Sequence, residues 1–552
     1  MSPQSPSFGL DSVVIYLRAK INEMRNQFIV FSILSLAITA AVAYFLWTPM
    51  WILFFILVPI ILLGLYDYFQ KADVIRRNFP LFGRGRHLME EIRPKIQQYF
   101  IEPDTEGKPF NRLEREMVYA RANKSLDTTP FGTQMDLYAE GYEWMNHSIA
   151  SLDPHHLDAD PRVTIGGPNC KQPYSASLLN ISAMSFGSLS SAAIEALNGG
   201  AKIRNFAHNT GEGGISPYHD KFGGDLIYQI GTGYFGCRAK DGNIDWDEYV
   251  ERTKADNVKM IELKLSQGAK PGHGGILPAK KVTAEIAKIR GIEQGKDVHS
   301  PPYHKSFDSP VGLLNVIKKM QDLSGGKPVG FKLCVGAKSE FFAICKAMID
   351  TNIKPDFIAV DGGEGGTGAA PLEFSNSVGM PFKEGLVFVY DALVGFGLKK
   401  DIKLITSGKI TSGFDMYRAI ALGADLCYSA RAMMLSLGCI QALECNKNTC
   451  PTGVATQVPS LVEGLVVSDK KVKVASFHKE TIESFVELLA ASGLKEPTQI
   501  NRRHLNRRIF MNLTKNYAEI YPYVEEGSFL TGKNIPEIYQ HDLAFASINS
   551  FA

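Results

Sequence analysis

The sequence carries no marked excess of charge of either sign and contains little cysteine. Over 552 residues, 59 Lys and Arg are balanced by 57 Asp and Glu, which leaves a formal net charge of +2. Proteins that bind nucleic acid usually display a basic patch or stripe, so we expect no nucleic-acid partner. Eight cysteines are too few for a disulfide scaffold in a chain of this length, which indicates a reducing compartment.

Long apolar runs are concentrated near the N-terminus, at residues 28–47 and 50–69. Each run is long enough to cross a bilayer as a helix, and Thr48 and Pro49 leave room only for a tight turn. Basic residues flank both runs: Arg18, Lys20 and Arg25 before the first, and Lys71, Arg76, Arg77, Arg84 and Arg86 after the second. The pattern predicts a two-span hairpin (residues 1–70) with both termini on the cytoplasmic side. A buried hairpin of a soluble protein is the alternative.

The rest of the chain divides into three segments that differ in composition and sequence pattern. Residues 71–160 are charged and mixed, which predicts a mostly helical connector, and residues 511–552 form a C-terminal extension. Between them, over 161–510, short apolar runs alternate with amphipathic helical patterns. Six runs are candidate strands: "LLNISAMS", "KMIELKL", "PVGFKLCVG", "DFIAVDGG", "IKLITSGK" and "ADLCYSARA". This alternation predicts an α/β fold with a parallel sheet covered by helices.

Two glycine-rich phrases are imperfect matches to nucleotide-binding motifs. "DGGEGGTGAAP" contains G-x-G-x-x-G at Gly363, Gly365 and Gly368, but Pro371 stands where the helix of a dinucleotide-binding fold must begin. "TSGKITSG" lacks the first glycine of a P-loop. Neither phrase by itself identifies a cofactor.

A (β/α)8 barrel explains these phrases better, because phosphate groups often bind at the loops after its last two strands. Gly408 and Lys409 follow one of the last two candidate strands, and Arg431 follows the other. Backbone N–H groups beside two cations suit a phosphate dianion. Solvated surface charges are the alternative interpretation of Lys409 and Arg431.

Three of the eight cysteines lie together in "GCIQALECNKNTCPTG", at Cys439, Cys445 and Cys450. Their spacing is not the paired C-x2-C of structural zinc, and no histidine lies close by in sequence. An odd number of thiols disfavours a disulfide framework, and iron–sulfur clusters usually take four thiolates. From the residues alone, core packing and an incomplete metal site both stay open.

Several phrases in one order resemble the FMN-binding synthase domain of glutamate synthase. They are "SAMSFGSLS", "NTGEGG", "KLSQGAKPGHGG", "SPPYH", "FKLCVG", "DGGEGGTGAAP", "TSGKITSG" and "GCIQALECNKNTCPTGVATQ". The resemblance covers about residues 165–460, and the whole chain resembles the stand-alone, membrane-anchored members of that family. It implies an FMN-containing (β/α)8 barrel with a [3Fe–4S] cluster. The implied reaction is reductive amination of 2-oxoglutarate to L-glutamate with ammonia.

The resemblance also implies roles for individual residues. Those implied to bind the flavin are Ala183, Met184, Ser185, Lys332, Gly363, Gly365, Gly408, Lys409 and Arg431. Those implied to bind 2-oxoglutarate are Lys264, Gln267 and Lys270, and those implied to hold the cluster are Cys439, Cys445 and Cys450. Lys332, beside flavin N1 and O2, and Glu212, near the ammonia entry, are the implied catalytic residues.

The chain departs from the family pattern in two ways that leave the substrate open. His273 in "KPGHGG" replaces a glutamate of the family, and we expect neither a glutaminase domain nor a pyridine-nucleotide domain in this sequence. Ammonia would then be free or come from a partner, and electrons would come from a separate donor such as a ferredoxin or a reductase. The alternatives are an FMN oxidoreductase acting on a different oxo, amino or hydroxy acid, and a flavin and iron–sulfur electron-transfer protein.

Overall fold

The computed structural model describes residues 10–168 and 170–551, with the side chains of 10–23 left out. The chain forms two compact units, Met1–Gly107 and Lys108–Ala552, which are described separately. Arg18 and Lys20, which helped to predict the orientation of the hairpin, lie outside the described side chains.

The first unit is helical. Its elements are the α-helices Leu10–Phe45, Phe54–Phe69, Val74–Asn78 and Gly83–Ile96, the 3-10 helix Thr48–Leu53 and the π-helix Gln97–Ile101. Two stretches, Met24–Phe45 and Thr48–Phe69, are long and apolar enough to cross a membrane, and most of their surface is exposed. The two predicted apolar helices are therefore present.

Close packing and one buried ion pair hold these helices together. Gly64 lets the ring of Phe28 approach, since a Cβ at Gly64 would lie 2.2 Å from that ring. Asp67, which is fully buried, accepts two hydrogen bonds from the Arg84 guanidinium at 2.7 and 2.8 Å. A buried carboxylate needs such a partner, so Arg84 fixes the end of the second apolar helix.

The second unit is built around a closed barrel of eight parallel strands. In chain order they are β1 (Leu179–Ile181), β2 (His208–Asn209), β3 (Leu226–Ile230), β4 (Val258–Lys264), β5 (Val329–Leu333), β6 (Phe357–Asp361), β7 (Lys403–Ser407) and β8 (Leu426–Ser429). Each strand pairs with the next, and β8 closes on β1 through Tyr428 and Asn180. The predicted (β/α)8 barrel is confirmed. All six candidate strands are barrel strands; the sequence patterns missed β2 and β3.

Helices cover the barrel. The longer ones are Ser191–Arg204, Trp246–Thr253, Pro310–Leu323, Lys338–Thr351, Phe382–Gly395, Gly413–Ala421 and Val467–Ala491, joined by Arg112–Asn123 from the N-terminal side. Shorter ones are Pro217–Asp220, Ala284–Arg290, Leu372–Ser377, Arg431–Ser436 and Pro459–Val462. Ser190, Ser309 and Ser412 cap their helices by accepting backbone N–H bonds. Glycine at position 200 admits Val474, because a Cβ there would lie 2.6 Å from Val474 Cγ1.

Small sheets and the C-terminal segment complete the second unit. Glu143–Met145 pairs with Leu505–Phe510, which pairs with Leu513–Asn516; Arg162–Ile165 pairs with Tyr174–Ser177, and Ile276–Leu277 with Val298–His299. The last helices are Tyr517–Ile520, Ser528–Thr531 and Glu537–Phe545.

The C-terminal segment packs directly on the barrel helices. Phe529 and Tyr539 place their rings 5.5 and 5.9 Å from that of Phe342. Beside them Arg502, fully buried, pairs with Asp391 at 2.7 Å. These contacts make residues 500–551 part of the barrel's outer layer.

Candidate active site

A cleft opens at the carboxyl ends of the barrel strands, where (β/α)8 enzymes carry their sites. Its lining residues are Phe110, Ser182, Ala183, Gln267, Lys332, Asp361, Gly365, Gly366, Ser407, Gly408, Lys409, Ile410, Tyr428, Ser429, Ala430, Arg431 and Ala432. Six of the nine predicted flavin residues are among them. Met184 and Ser185 continue the loop after β1 but are buried behind the lining, and Gly363 is bonded to Met380 O.

Two cations stand together at one end of the cleft. Lys409 and Arg431 follow β7 and β8, and burial lowers the pKa of both side chains. The ring of Phe110 lies 5.7 Å from Lys409 Nζ and 4.9 Å from Arg431 Cζ. Gly366 lets Arg431 lie close to the backbone, because a Cβ there would be 2.9 Å from the guanidinium. Two partly buried cations beside glycine backbone are suited to binding a phosphate.

Lys332 stands in the middle of the mouth. It leaves β5 and lies 3.3 Å from Asp361 Oδ2 at the end of β6, with both side chains buried. Burial would raise the pKa of Asp361, but Lys332, the Ser407 hydroxyl and the N–H of Gly268 hold it below its ordinary value. Lys332 is therefore a fixed positive charge with a buried counter-ion.

Below this mouth the barrel interior is polar. Glu262 lies two residues before Lys264 on β4 and pairs in register with Gln229 on β3. Its Oε1 accepts hydrogen bonds from Gln229 Nε2 at 2.6 Å and Asn209 Nδ2 at 2.9 Å. Burial raises the pKa of Glu262 despite the nearby charge of Lys332.

Three buried polar atoms of this layer have no hydrogen-bond partner of good geometry within the described part of the chain: Gln229 Oε1, Glu262 Oε2 and Tyr428 OH. The Tyr428 hydroxyl nevertheless lies close enough to Glu262 for burial and that carboxylate to raise its pKa. Buried polar atoms are nearly always paired in native proteins, so such a cluster calls for a ligand or ordered water. The layer lies beneath Lys332 and borders the cleft through Tyr428. It offers acceptors and a hydroxyl to a polar, planar group held in the cleft.

A second, smaller pocket adjoins the cleft and shares Gln267 with it. In this pocket Lys264 Nζ donates to Glu212 Oε2 at 3.0 Å and to Gln267 Oε1 at 2.6 Å. Burial would raise the pKa of Glu212, but Lys264, with Lys270 and Arg290, holds it below its ordinary value. Glu212 is therefore an anion at neutral pH.

Lys270 lies deeper and is almost fully buried. Its Nζ donates to Ala369 O at 2.9 Å, and burial lowers its pKa to about 8. The structure thus brings Glu212, Lys264 and Gln267 into direct contact and places Lys270 within electrostatic range of them. The Lys264 ammonium and the Gln267 amide line this pocket, with the charge of Lys270 nearby, and such a set is suited to binding a carboxylate-bearing molecule.

His304, the last residue of "SPPYH", contacts the backbone of Lys264. Its Nε2 lies 2.9 Å from Lys264 O and its Nδ1 lies 3.1 Å from the hydroxyl of Tyr234. Burial lowers the pKa of His304 to about 4, so the ring is neutral and positions the β4 backbone. His273, the departure from the family pattern, lines the same pocket and packs edge-on against Phe374.

The three clustered cysteines follow β8 and its short helix. Burial raises the pKa of Cys439 to about 12, with smaller contributions from Cys445 and Cys450, and burial together with Cys450 raises the pKa of Cys445. The pKa of Cys450 is lowered, because bonds from Thr452 and backbone N–H groups outweigh burial. Over residues 10–168 and 170–551, no three His, Cys, Asp or Glu side chains form a site for a single metal ion.

A buried lysine accompanies these thiols. Lys281 Nζ donates to Ser188 O and Ala455 O, both at 2.9 Å, and its side chain is nearly inaccessible. Burial lowers the pKa of Lys281 to about 8, while Cys445 and Cys450 act in the opposite direction. The carbonyl groups that bind Lys281 carry no charge to balance the buried ammonium. An anionic group at the cysteines would supply that balance.

Several site residues escaped the sequence analysis. Glu262 was detectable, since it is a lone carboxylate within the apolar strand "KMIELKL". Asp361 ends a strand directly before a glycine loop, which is also a recognisable signal. Phe110 gave no signal, because it lies far from the barrel in sequence and reaches the cleft through the fold alone.

A closed (β/α)8 barrel with a cationic cleft and an adjoining carboxylate-type pocket at its carboxyl mouth defines a barrel enzyme. The chain belongs to the glutamate synthase family. A family model described as "Conserved region in glutamate synthase" matches residues 127–495. The glutamate synthase large subunit-like protein YerD of Bacillus subtilis (strain 168) is 36% identical over 82% of this chain and 93% of its own length.

A second relative matches a smaller share of the chain. The archaeal glutamate synthase [NADPH] of Methanocaldococcus jannaschii is 35% identical over 57% of this chain and 58% of its own length, so the present chain spans little more than half of that protein. Among solved structures, a flavocytochrome b2 variant with bound pyruvate shows 13% identity and a TM-score of 0.41, over 76% of this chain and 91% of that chain.

Proposed function

We propose that the protein is a membrane-anchored, FMN-dependent oxidoreductase that reductively aminates 2-oxoglutarate to L-glutamate with ammonia. One observation carries the proposal: Gln267 lines both the cationic cleft and the pocket of Lys264. A dicarboxylate held in the pocket would therefore lie beside a cofactor held in the cleft. Proximity of this kind supplies a large part of an enzymatic rate enhancement.

The residues of the cleft fit FMN. Lys409 and Arg431 would hold the phosphate, and Lys332 would stand at the N1 and O2 edge of the ring, where negative charge accumulates on reduction. The flavin pyrimidine edge carries one N–H donor and carbonyl acceptors. Tyr428 OH lines the cleft, and Gln229 Oε1 and Glu262 Oε2 lie in the layer beneath it, so these groups would offer that edge a hydroxyl and two acceptors. When bound, FMN would supply the hydride.

The pocket residues perform the acid–base and binding work. Lys264 and Lys270 would bind the carboxylates of 2-oxoglutarate, with Gln267 between pocket and cleft. Glu212, an anion held by Lys264, would bind ammonium and accept one proton from it, so that ammonia attacks the keto carbon. Loss of water gives the imine that is reduced to L-glutamate. The balance requires two electrons from a separate donor, such as a ferredoxin or a reductase, and two protons from solvent.

The cysteine segment fits a [3Fe–4S] cluster. The three thiols of Cys439, Cys445 and Cys450 lie near one another, and the buried cation Lys281 lies beside them. Such a cluster binds each thiolate to a different iron, so its ligands need not converge on one point as they do around a single ion. These three residues would hold the cluster, which when bound would pass electrons toward the cleft.

The N-terminal helices would anchor the enzyme, with the barrel on the cytoplasmic side. Their exposed apolar surface and the basic flanks support this placement. We expect the full chain to sediment with membranes and to resist alkaline carbonate extraction. Recovery in the soluble fraction would contradict the anchor.

The test of the reaction is anaerobic. The purified full chain is reduced in detergent, 2-oxoglutarate and ammonium are added, and flavin reoxidation and L-glutamate are followed together. We expect both signals from the wild type and their loss in Lys264→Met. The matched control is Lys254→Met, which removes an exposed lysine paired with Glu251. Reoxidation by other oxo acids but not by 2-oxoglutarate would refute the proposed substrate.

A further inference from the structure

We propose that Phe110 and Gln441 form a clasp through which the cysteine loop controls how tightly the enzyme holds the phosphate end of its cofactor. The cysteine loop is residues 439–450, and the clasp is the contact between these two side chains and their backbones. The inference rests on the proposed function, since the cofactor is FMN and the loop holds the cluster.

Phe110 closes the cationic end of the cleft. It is 2% exposed, and it is the one described lining residue that precedes the barrel in sequence. Its ring faces both Lys409 and Arg431 at cation–π distances. Displacing the ring would open these two cations to water and uncover a phosphate bound there.

Gln441 holds Phe110 in place by a two-point amide contact. Its Oε1 accepts from Phe110 N at 3.1 Å, and its Nε2 donates to Phe110 O at 3.1 Å. A second link lies close by, since the Tyr119 hydroxyl donates to Cys439 O at 2.6 Å. The segment that carries Phe110 is therefore attached to the cysteine loop at two points.

The loop holds Gln441 in a strained conformation. Gln441, Leu443 and Asn448 all have positive φ, at 57°, 57° and 66°, although none is glycine. Such residues persist only where their surroundings fix them. Cys439 and Cys445 stand on either side of Gln441 and Leu443, so cluster bonds to both thiolates would fix the two ends of this stretch. Emptying the cluster lets Gln441 relax, and the clasp on Phe110 opens.

The test measures flavin release from the holoenzyme after dilution, using the fluorescence of free FMN. Loss of two hydrogen bonds predicts release about tenfold faster in Gln441→Ala, with similar acceleration in Phe110→Ala. The matched control is Gln321→Ala, whose amide donates to Lys354 O and to Asp356 directly before β6, at the amino ends of the strands and away from the cleft; its release rate should be unchanged. Circular dichroism of each variant checks folding.

Coupling to the cluster is tested separately. Bleaching the cluster of the wild type with ferricyanide and EDTA should accelerate flavin release to the rate of Gln441→Ala. Bleaching Gln441→Ala should add nothing, because both changes open the same clasp. If bleaching and Gln441→Ala each accelerate flavin release and their factors multiply, the two changes act independently and the inference is overturned. A wild-type release rate in Gln441→Ala would overturn it as well. A wild type that holds no FMN would instead refute the proposed function.

Discussion

Replacing Lys332 by Met should destabilise the protein in a way that depends on pH. The Lys332 ammonium lies 3.3 Å from Asp361, and both side chains are buried. At an effective dielectric constant of about 20 this pair attracts by about 5 kcal/mol, and removing one member of a buried pair typically costs about 3–5 kcal/mol. The Ser407 hydroxyl and the N–H of Gly268 still bind the carboxylate, so we expect a loss near the lower end, about 3 kcal/mol.

The pH dependence identifies the cause. In the wild type the pKa of Asp361 is depressed in the folded state, so its contribution to stability is present above the unfolded pKa and lost as pH falls. Without Lys332, burial dominates and the pKa rises above the unfolded value. Lys332→Met should then be least stable, relative to the wild type, near pH 8 and approach it as pH falls toward 5.

The assay is thermal unfolding of flavin-free full chain in detergent between pH 5 and pH 8. Lys332→Met/Asp361→Asn should recover most of the lost stability at pH 8, because neither member of this ion pair stays buried without the other. Lys354→Met, which removes a half-exposed partner of Asp401, is the control and should change stability by at most about 1 kcal/mol. A deficit in Lys332→Met that is the same at every pH, or that the double variant does not repair, would refute this reasoning.

Three further predictions concern separate parts of the second unit. Lys270 loses its proton as pH rises through about 8, so KM for 2-oxoglutarate should rise above that pH, and Lys270→Arg should move the rise to higher pH in steady-state assays. Lys281→Met should shift the reduction potential of the proposed cluster to a more negative value in redox titrations followed by electron paramagnetic resonance. The reason is that a buried cation favours the more negative reduced state, and an unchanged potential would contradict this role. Arg502→Met should destabilise by about 3–5 kcal/mol in thermal unfolding, and adding Asp391→Leu should restore much of it; equal losses in both variants would count against the buried pair as the cause.

The barrel could be predicted from the sequence because six of its strands are runs of buried apolar residues that end in glycine or small polar residues. β2 could not, since it has two residues, His208 and Asn209, and no period can be read from two positions. β3, "LIYQI", lacks the alternation of apolar and polar residues that marks a half-buried strand, because all five of its residues are buried. These two strands are defined by pairing with their neighbours in the closed barrel, which a local sequence pattern cannot show.

The site was predictable wherever a charge interrupts an apolar strand or follows its end. Lys264, Lys332 and Arg431 gave such signals, and the structure places them at one mouth. Phe110 could not be predicted, because its role depends on a backbone contact with Gln441, more than three hundred residues away in sequence. Contacts of this kind arise from the fold and leave no local trace.

The packing of Phe529 and Tyr539 against Phe342 has a consequence for the order of events during synthesis. The helices that these rings cover, among them Phe382–Gly395, leave the ribosome well before the covering segment does. A nascent barrel therefore displays an aromatic face, with Asp391 unpaired beside it, until Arg502 and the last helices emerge. Chains released early would expose that apolar face together with the unpaired Asp391 carboxylate, which makes them substrates for chaperones and proteases. Packing of residues 500–551 is therefore expected to be the last stage in covering the barrel helices.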